Sequence, residues 1–565
     1  MSAIIFISRQ LSLTKKIFLG IIMMLQLHSA FADNENYDGQ DVSGKDFSGK
    51  SHKNSSWVSS TASGTIFSTS ENATSYSNSD FTSAYLKNAN FTDAILSNTD
   101  FTDAIIEGAS FRNTVSNGFN QEQLYSTASY KNKNLRGVSF ARNDLLRLNG
   151  NPSAWDFTGQ DLTNADFSYS LITGAIYSNV FRPVILTDAI IEGADFSDLQ
   201  TYEAYAGVKY GITSSQLYST ASYKNKNLTG IKFGGNYMVG FDFTGQNMTN
   251  VSFWGAELNN VDFTNANLTN VDFRFSDISN ANFDNAIIEG AYFTDITTKQ
   301  LYSTASYKEK NLKGVTFSVY SYSWLAGADF AGQNLMNADF TGQSLNNTDF
   351  TKADLRGGTM KSNYVITKNT IMGDGRIKDF SMVSSDDSFS IRKYTPAAEG
   401  GEMISAKISE AAAISGGAAL TLENGAELEV LNAADLTVEN GSSIIINTDA
   451  DSSTSFKVNS GGGLAFENGA ILEINVVSDL SAQDILQIEI MEFAENASIA
   501  GLDALVKGET ILLNVNGSEW LGEWDYALEN NQMLITVSVP EPAVCAAAIG
   551  ALALGLALKF RNYKN

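Results

Sequence analysis

The chain has 565 residues, too many for one ordinary hydrophobic core, so we expect at least two folded regions or an extended repeat array. Its hydrophobic fraction of 43%, with 45 Gly and only 5 Pro, excludes a disordered or collagen-like polymer. The net charge of −25 argues against a nucleic-acid binder, because a negative surface repels phosphates.

The first 32 residues have the pattern of a secretory signal peptide. Lys15 and Lys16 precede an apolar run at 17–27, and Ala30 and Ala32 supply the small residues of an A-x-A cleavage step. We therefore expect export and cleavage after Ala32. The residues that follow, 33–75, are predicted to form an N-terminal cap with irregular first repeats.

Between residues 76 and 360 a bulky apolar residue returns every five positions, usually with a small residue two positions before it. A period of five fits neither an α-helix nor a plain strand. Each unit can bury its large and small side chains only by stacking on neighbouring units, as in a solenoid. The longest series in phase is Leu228, Phe233, Met238, Phe243, Met248, Phe253, Leu258, Phe263, Leu268, Phe273, Ile278, Phe283, Ile288 and Phe293.

Segments such as Ala-Asn-Phe-Thr-Asp at 89–93 and Ala-Asp-Phe-Thr-Gly at 338–342 resemble the A-[DN]-[LF]-x-x consensus of the pentapeptide-repeat family. The resemblance implies a right-handed β-helix of square cross-section with four units per coil. We predict an all-β protein in which this quadrilateral β-helix, with short helical insertions, precedes a second β-rich region and a C-terminal transmembrane helix.

Three nearly identical segments interrupt the five-residue repeat, at 123–135, 216–228 and 300–312. Each copy is predicted to be a short helix, with a Ser or Thr N-cap available before Gln216 and Gln300. Two interpretations stay open: the tyrosines form a displayed contact surface, or the segments are structural spurs that cover exposed coil ends. The predicted insertions are residues 112–134, 197–227 and 294–311, and their candidate contact residues are Tyr125, Tyr218 and Tyr302.

After Met360 the five-residue step stops, and residues 361–403 are predicted to be a linker. Residues 404–538 show short alternating runs separated by turn-forming Glu-Asn-Gly triplets, which predicts a β-rich domain. The spacing suits an irregular β-helix or a β-sandwich, and the strands weakly resemble autotransporter-passenger segments. Trp520 and Trp524 suit either a capping hairpin or a platform that stacks on a glycan.

The last 27 residues, 539–565, resemble a PEP-CTERM sorting signal. They contain Val539, Pro540, Glu541 and Pro542, an apolar run at 543–558 that predicts a membrane helix, and a basic end. The resemblance implies a Gram-negative bacterium, processing by a membrane-embedded exosortase-like enzyme, and an association with exopolysaccharide.

Residues that support catalysis are scarce. If the signal peptide is removed, His52 is the only histidine left, and its polar setting suggests no ordered partner. No Cys/His zinc pattern and no phosphate-binding glycine loop is present. Carboxylates such as Asp100 and Asp262 precede many bulky residues, but a solvated repeat face explains them without a ligand. We predict no catalytic, cofactor or metal site.

These features together predict an exported, non-catalytic structural protein of the cell surface or extracellular matrix. It would be tethered to the inner membrane as an intermediate, and then reside in the periplasm, outer membrane or cell surface. The main alternative is a glycan-binding adhesin of the envelope. A minor alternative is an acidic DNA mimic that inhibits gyrase, although residues 33–360 carry −12 while 361–540 carry −18.

Overall fold

The chain forms two compact units, Met1–Ser306 and Tyr307–Asn565. The predicted signal peptide, the sorting motif and the helix at 543–558 lie outside the described residues. Across the part of the chain that is described, no helix is long and apolar enough to cross a membrane. The computed structural model describes residues 34–146, 155–172, 184–199, 211–318, 325–360, 364–448, 454–476, 485–493, 497–500, 511–515, 518–519, 524–529 and 532–538.

In the first unit, successive coils pair in parallel at a spacing of 20 residues wherever no insertion intervenes. Asp80 bridges Asp100, and Asp242 bridges Asp262. Because each pentapeptide supplies one side, this spacing gives four sides to a coil, and the predicted quadrilateral solenoid is confirmed. Its short strands are β1 (Ile66–Ser68), β2 (Asn90–Phe91), β3 (Asp272–Phe273) and β4 (Tyr292–Phe293).

The core of this unit is a column of large side chains. All fourteen members of the longest series are at most 3% exposed. Phenylalanine occupies alternate units, so two opposite sides present rings to the interior. Phe263 stacks on Phe243 at 5.6 Å and on Phe283 at 5.2 Å, and meets Phe273 edge to face at 5.6 Å. Both ring arrangements are favourable, so each coil is stabilised by its neighbours.

The corners are β-turns with a left-handed third residue. The Val251 N–H donates to the Met248 carbonyl at 3.0 Å, and Asn250 at the third position has φ of 61°. Such a turn favours Gly or Asn there, which explains the many Asn and Gly residues of the repeat. A side-chain oxygen just before the turn stabilises many of the corners: the Asp262 Oδ1 accepts from the Thr264 N–H at 2.9 Å.

Regular coils begin earlier than the sequence analysis indicates. Asn36 bridges Ser56 at the 20-residue spacing, inside the stretch 33–75 that was predicted to be irregular. His52 takes an inward position at 1% exposure, contrary to the expectation of no ordered partner. Its Nδ1 lies 3.0 Å from the Glu35 carboxylate, and its Nε2 lies 3.2 Å from the Phe47 carbonyl. The repeat looks irregular in the sequence here because a histidine fills a position that normally holds an apolar residue.

Two-helix segments, which we call spurs, interrupt the coils where insertions were predicted. The second and third spurs have Thr213 and Thr297 as N-caps, each in a capping box with a glutamine, which confirms the predicted caps. The spur helices are α1 (Gln121–Ser126) and α2 (Ala128–Lys131), α3 (Ser214–Ser219) and α4 (Ala221–Lys224), α5 (Thr298–Ser303) and α6 (Ala305–Lys308). A 3-10 turn, Val115–Asn117, precedes the first spur.

The second unit starts with further pentapeptide coils, in which Asp329 bridges Asp349 and Asp339 bridges Thr359. Longer strands follow. The strands of the unit are β5 (Thr316–Phe317), β6 (Thr370–Ile371), β7 (Ile377–Lys378), β8 (Ser388–Ile391), β9 (Ala406–Ile408), β10 (Ala412–Ile414), β11 (Ala419–Leu422), β12 (Glu427–Val430), β13 (Asp435–Val438), β14 (Ser443–Thr448), β15 (Ser455–Val458), β16 (Gly463–Phe466), β17 (Ile471–Val476), β18 (Ile485–Phe493), β19 (Ser498–Ala500), β20 (Ile511–Val515), β21 (Ser518–Glu519), β22 (Trp524–Glu529) and β23 (Gln532–Ser538).

From β8 to β20 every third strand joins the same parallel sheet. One sheet contains β8, β11, β14, β17 and β20, a second contains β9, β12, β15 and β18, and a third contains β10, β13, β16 and β19. Each coil therefore has three sides, and the β-helix alternative is correct rather than the sandwich. Leu420, Leu428 and Leu436, one from each sheet, are all fully buried in a common core.

Residues 364–391, which the sequence analysis assigned to a linker, carry strands. β6 and β7 form an antiparallel hairpin, β8 pairs in parallel with β11, and Met382 bridges Ile414. This part of the segment therefore belongs to the solenoid. The strands are only two to four residues long and have no five-residue step, so only their long-range pairing identifies them.

A buried ion pair fastens the last pentapeptide coil to the chain that follows. The guanidinium of Arg356 is fully buried and lies 2.7 Å from the Asp354 carboxylate. It also donates to the carbonyls of Arg392 and Ile404, and it lies over the ring of Tyr394 at 5.6 Å. The Arg356 N–H groups that make these bonds are shielded from water. The buried ion pair therefore depends on hydrogen bonds from within the chain.

Candidate interaction surfaces

In each spur one glutamine bonds to the backbone of the solenoid. The side-chain amide of Gln123 donates to the carbonyls of Leu96 and Thr99, at 2.8 and 2.7 Å. Gln216 donates to Ile172 and Val184 at 3.2 and 3.0 Å, and Gln300 to Ile278 and Ala281 at 2.9 and 3.1 Å. The same glutamine closes the capping box of its helix, so it links the helix start to two coil carbonyls.

The spur also takes the place of one coil side. Leu124, Leu217 and Leu301 are fully buried, as the bulky residues of ordinary units are. The N–H of Ala128 donates to the Ala104 carbonyl at 2.9 Å, which continues the coil-to-coil ladder through the spur. The spur therefore supplies one coil side in helical form.

Two stacked tyrosines complete the ladder on the other side of the spur. Tyr125 and Tyr130 have ring centroids 4.4 Å apart. The Tyr125 hydroxyl accepts from the Asp156 N–H, and the Tyr130 hydroxyl donates to the Asp156 carbonyl, both at 2.7 Å. The pair thus supplies the donor and the acceptor that a neighbouring backbone would provide.

The second spur repeats this arrangement. Tyr218 and Tyr223 stack at 4.4 Å, and their hydroxyls bond the N–H and the carbonyl of Asp242 at 2.6 and 2.8 Å. Burial, together with the nearby Asp242, raises the pKa of Tyr223 to about 12, so this hydroxyl stays protonated at neutral pH. The hydroxyls of the predicted contact residues Tyr125 and Tyr218 therefore form hydrogen bonds within the chain, which favours the structural interpretation of the spurs.

The other predicted contact residues are on the third spur and near the C-terminal end of the chain. Tyr302 lies on α5, and Trp524 starts β22, which pairs with β23 as an antiparallel hairpin. Trp520 lies outside the described residues. The hairpin agrees with the predicted capping element.

The predicted rows of carboxylates face the solvent but are used by the turns. The Asp100 Oδ1 accepts from the Thr102 N–H at 2.8 Å, and Asp242 and Asp349 hold the N–H groups of Thr244 and Thr351 in the same way. Within the described ranges, no group of three or more His, Cys, Asp or Glu side chains could hold a metal ion.

Sequence analysis missed a set of exposed aromatic residues at one corner of the first unit. Trp254 is 47% exposed, Phe275 is 52% exposed, and their ring centroids lie 5.6 Å apart at 75°. Tyr169, on the same corner, is 45% exposed. The signal was present, because these three residues occupy turn positions that are elsewhere small or polar. Large parts of these three side chains are therefore open to solvent.

A sequence model described as pentapeptide repeats matches the chain with eight copies, over residues 77–115, 227–265, 256–295 and 325–361. No curated protein matches it.

Three solved structures are similar in part. HetL, a pentapeptide repeat protein involved in heterocyst differentiation regulation in the cyanobacterium Nostoc sp. strain PCC 7120, is 14% identical, with a TM-score of 0.15 over 63% of this chain and 98% of HetL. Full-length QnrB1, a plasmid-mediated fluoroquinolone resistance protein, is 12% identical, with a TM-score of 0.13 over 51% and 93%. PfbA, a surface adhesin of Streptococcus pneumoniae, is 11% identical, with a TM-score of 0.11 over 88% and 92%.

TM-scores this low carry no argument about function. The matched segments agree with the 20-residue coil period and with the buried columns described above. Over these segments the chain matches the pentapeptide-repeat family model.

Proposed function

We propose that the protein is an exported, non-catalytic structural component of a bacterial cell surface or extracellular matrix. The observation that carries the proposal is the inward use of the repeated polar groups. Tyr125, Tyr218 and Gln216 occur in copied segments that invite a binding role, yet their polar atoms bond the chain's own backbone. The repeats therefore work to extend and fasten a scaffold.

The exported location rests on the two ends of the sequence. Fractionation of cells, with intact-mass measurement of the mature protein, tests it. We expect a mass that begins at Asp33 and surface or membrane retention that is lost when residues 540–565 are deleted. Unchanged retention of the deletion variant, or a full-length mass in the cytosol, would contradict the proposal.

A second candidate function is glycan binding at the envelope. It is supported by the exposed aromatic corner, since Trp254 and Phe275 do not contribute to the buried column. A structural protein and a glycan binder are compatible, because the same scaffold holds the corner residues in a fixed order.

A further inference from the structure

The corner that carries the exposed aromatic residues is continuous over several coils. Backbone bonds stack it: the Tyr169 N–H donates to Ser197, the Asp198 N–H to Gly234, and the Gly235 N–H to Trp254, at 3.1, 2.8 and 2.8 Å. Because the coils repeat at ~4.8 Å, the three steps from Tyr169 to Trp254 span about 14 Å along the solenoid axis. Two aromatic platforms therefore stand at a fixed separation.

Two glycines lie between the two aromatic platforms, so no side chain projects from the backbone at those positions. Gly234 and Gly235 occupy the coil between Asp198 and Trp254. A Cβ added at Gly235 would lie 2.5 Å from the Asp198 Oδ1, so a side chain there would displace that carboxylate. Among the described residues, the corner thus has an aromatic residue at each end and a shallow step of backbone and carboxylate between them.

Most charged side chains at this corner are paired, although the whole chain carries −25. Lys232 pairs with Asp195 at 3.0 Å, and Arg274 pairs with Asp272 at 2.7 Å. The guanidinium of Arg142 lies 5.2 Å from the ring centroid of Tyr169, whose hydroxyl bonds Asp198. Three cations therefore face three carboxylates, and a fourth carboxylate, Asp166, lies beside Asp195 and accepts from Ser139 and Ser168. A neutral partner meets no net repulsion here, whereas an anionic one is repelled by the rest of the chain.

We propose that this corner binds a neutral polysaccharide chain, which stacks sugar rings on Trp254 and Tyr169 and hydrogen-bonds the paired charges between them. The inference deepens the glycan-binding candidate above. Aromatic rings that are separated along the axis by polar groups suit a ligand with alternating apolar ring faces and hydroxyl groups. They do not form the broad contiguous apolar patch that a membrane or a stable protein partner needs.

Affinity electrophoresis of the full mature chain tests this, with dextran and a mixed-linkage β-glucan as neutral probes and alginate as the anionic probe. We expect retardation by at least one neutral glucan. Trp254→Ala with Phe275→Ala should weaken it by about tenfold, the loss of one stacked ring contact. Tyr169→Ala should weaken it independently.

The matched control is Tyr85→Ala, which removes an exposed tyrosine, 38% exposed, from another side of the coil. It should bind like the unaltered chain, and circular dichroism should show the same fold in every variant. The proposal is overturned by no retardation with either neutral glucan, by binding to alginate alone, or by equal losses in the control and the corner variants. Cell fractionation, which tests export and retention, is unaffected by these outcomes.

Discussion

The two kinds of coil in this protein both enclose a buried apolar core, but their sides differ in length. In the pentapeptide coils each side buries one large residue, such as Phe263, and four sides enclose a column one ring wide. In the later coils a side is a strand with two or three buried residues, such as Leu428 and Val430, and three sides suffice. Longer sides with more inward residues therefore accompany a smaller number of sides.

The corners, in contrast, are alike. Asn260 in a pentapeptide coil has φ of 58°, and Gly441 in a three-sided coil has φ of 76°, each as the third residue of a hydrogen-bonded turn. The Glu-Asn-Gly triplets predicted to be turns are the corners of the second coil type. The difference between the regions lies in their sides and cores.

Substitutions in the two cores are expected to cause the largest losses of stability. Phe263→Ala should cost about 3–5 kcal/mol, because the ring contacts neighbours in two adjacent coils and in the facing column. Leu428→Ala in the three-sided core should cost about 2–5 kcal/mol. Guanidinium unfolding combined with hydrogen exchange measures both. Ile287→Ala, at a position 44% exposed, is the control, and an equal loss there would contradict the column as the source of stability.

The junction between the two coil types depends on Arg356. Arg356→Met should destabilise the second unit by about 3–5 kcal/mol, because Asp354 would remain buried without its cation. Replacing both residues, Arg356→Met with Asp354→Leu, should recover most of this loss. Chemical denaturation of the three proteins distinguishes the cases. A double variant as unstable as the single one would show that packing, not charge, holds the junction.

Among the described residues, the spurs occur only between pentapeptide coils, and Gln216 tests their attachment. Gln216→Leu leaves the carbonyls of Ile172 and Val184 without this donor, which should cost about 1–3 kcal/mol. Amide exchange should quicken in α3 and α4 while the three-sided coils stay protected. Gln40→Leu, at an exposed glutamine, should leave exchange unchanged. Loss of protection throughout the chain would mean that the spurs are not local units.

The smallest losses of stability are expected at the corners, whose turn both kinds of coil share. Asn260→Ala and Gly441→Ala should each cost about 1–2 kcal/mol, since both force alanine into the left-handed region. A Cβ at Gly441 meets nothing within 4 Å, so the cost there comes from the backbone alone. Asn260→Gly should be nearly neutral, as thermal unfolding can show. A large loss from that control would mean that the Asn260 side chain, rather than φ, stabilises the corner.

Much of the architecture was accessible from the sequence because its signals are periodic. The series from Leu228 to Phe293 predicted the inward column, and the copied segments predicted the short helices, with a Ser or Thr N-cap before Gln216 and Gln300. Prediction failed where periodicity was concealed. His52 and Trp57 fill inward positions with unusual residues, and β6 to β8 depend on pairing with distant strands.

The candidate site was harder to predict, because exposure depends on which turn residues stack. Tyr169 and Trp254 are 85 positions apart, and insertions lie between them. Only the register of the intervening coils puts them on one corner, with Gly234 and Gly235 between. The tyrosines of the spurs looked more prominent in sequence, yet their hydroxyls are used within the chain.

By itself the sequence determined the solenoid: a five-residue repeat of one large and one small apolar residue can be buried only by stacking, and Asn, Asp and Gly permit the corners. Only the tertiary structure decided that the later strands close into three sides, that the tyrosine pairs replace a coil's backbone ladder, and that Trp254 and Phe275 face the solvent. The physical reason is that repeat chemistry is local, whereas closure, burial and alignment along a corner depend on residues brought together by stacked coils.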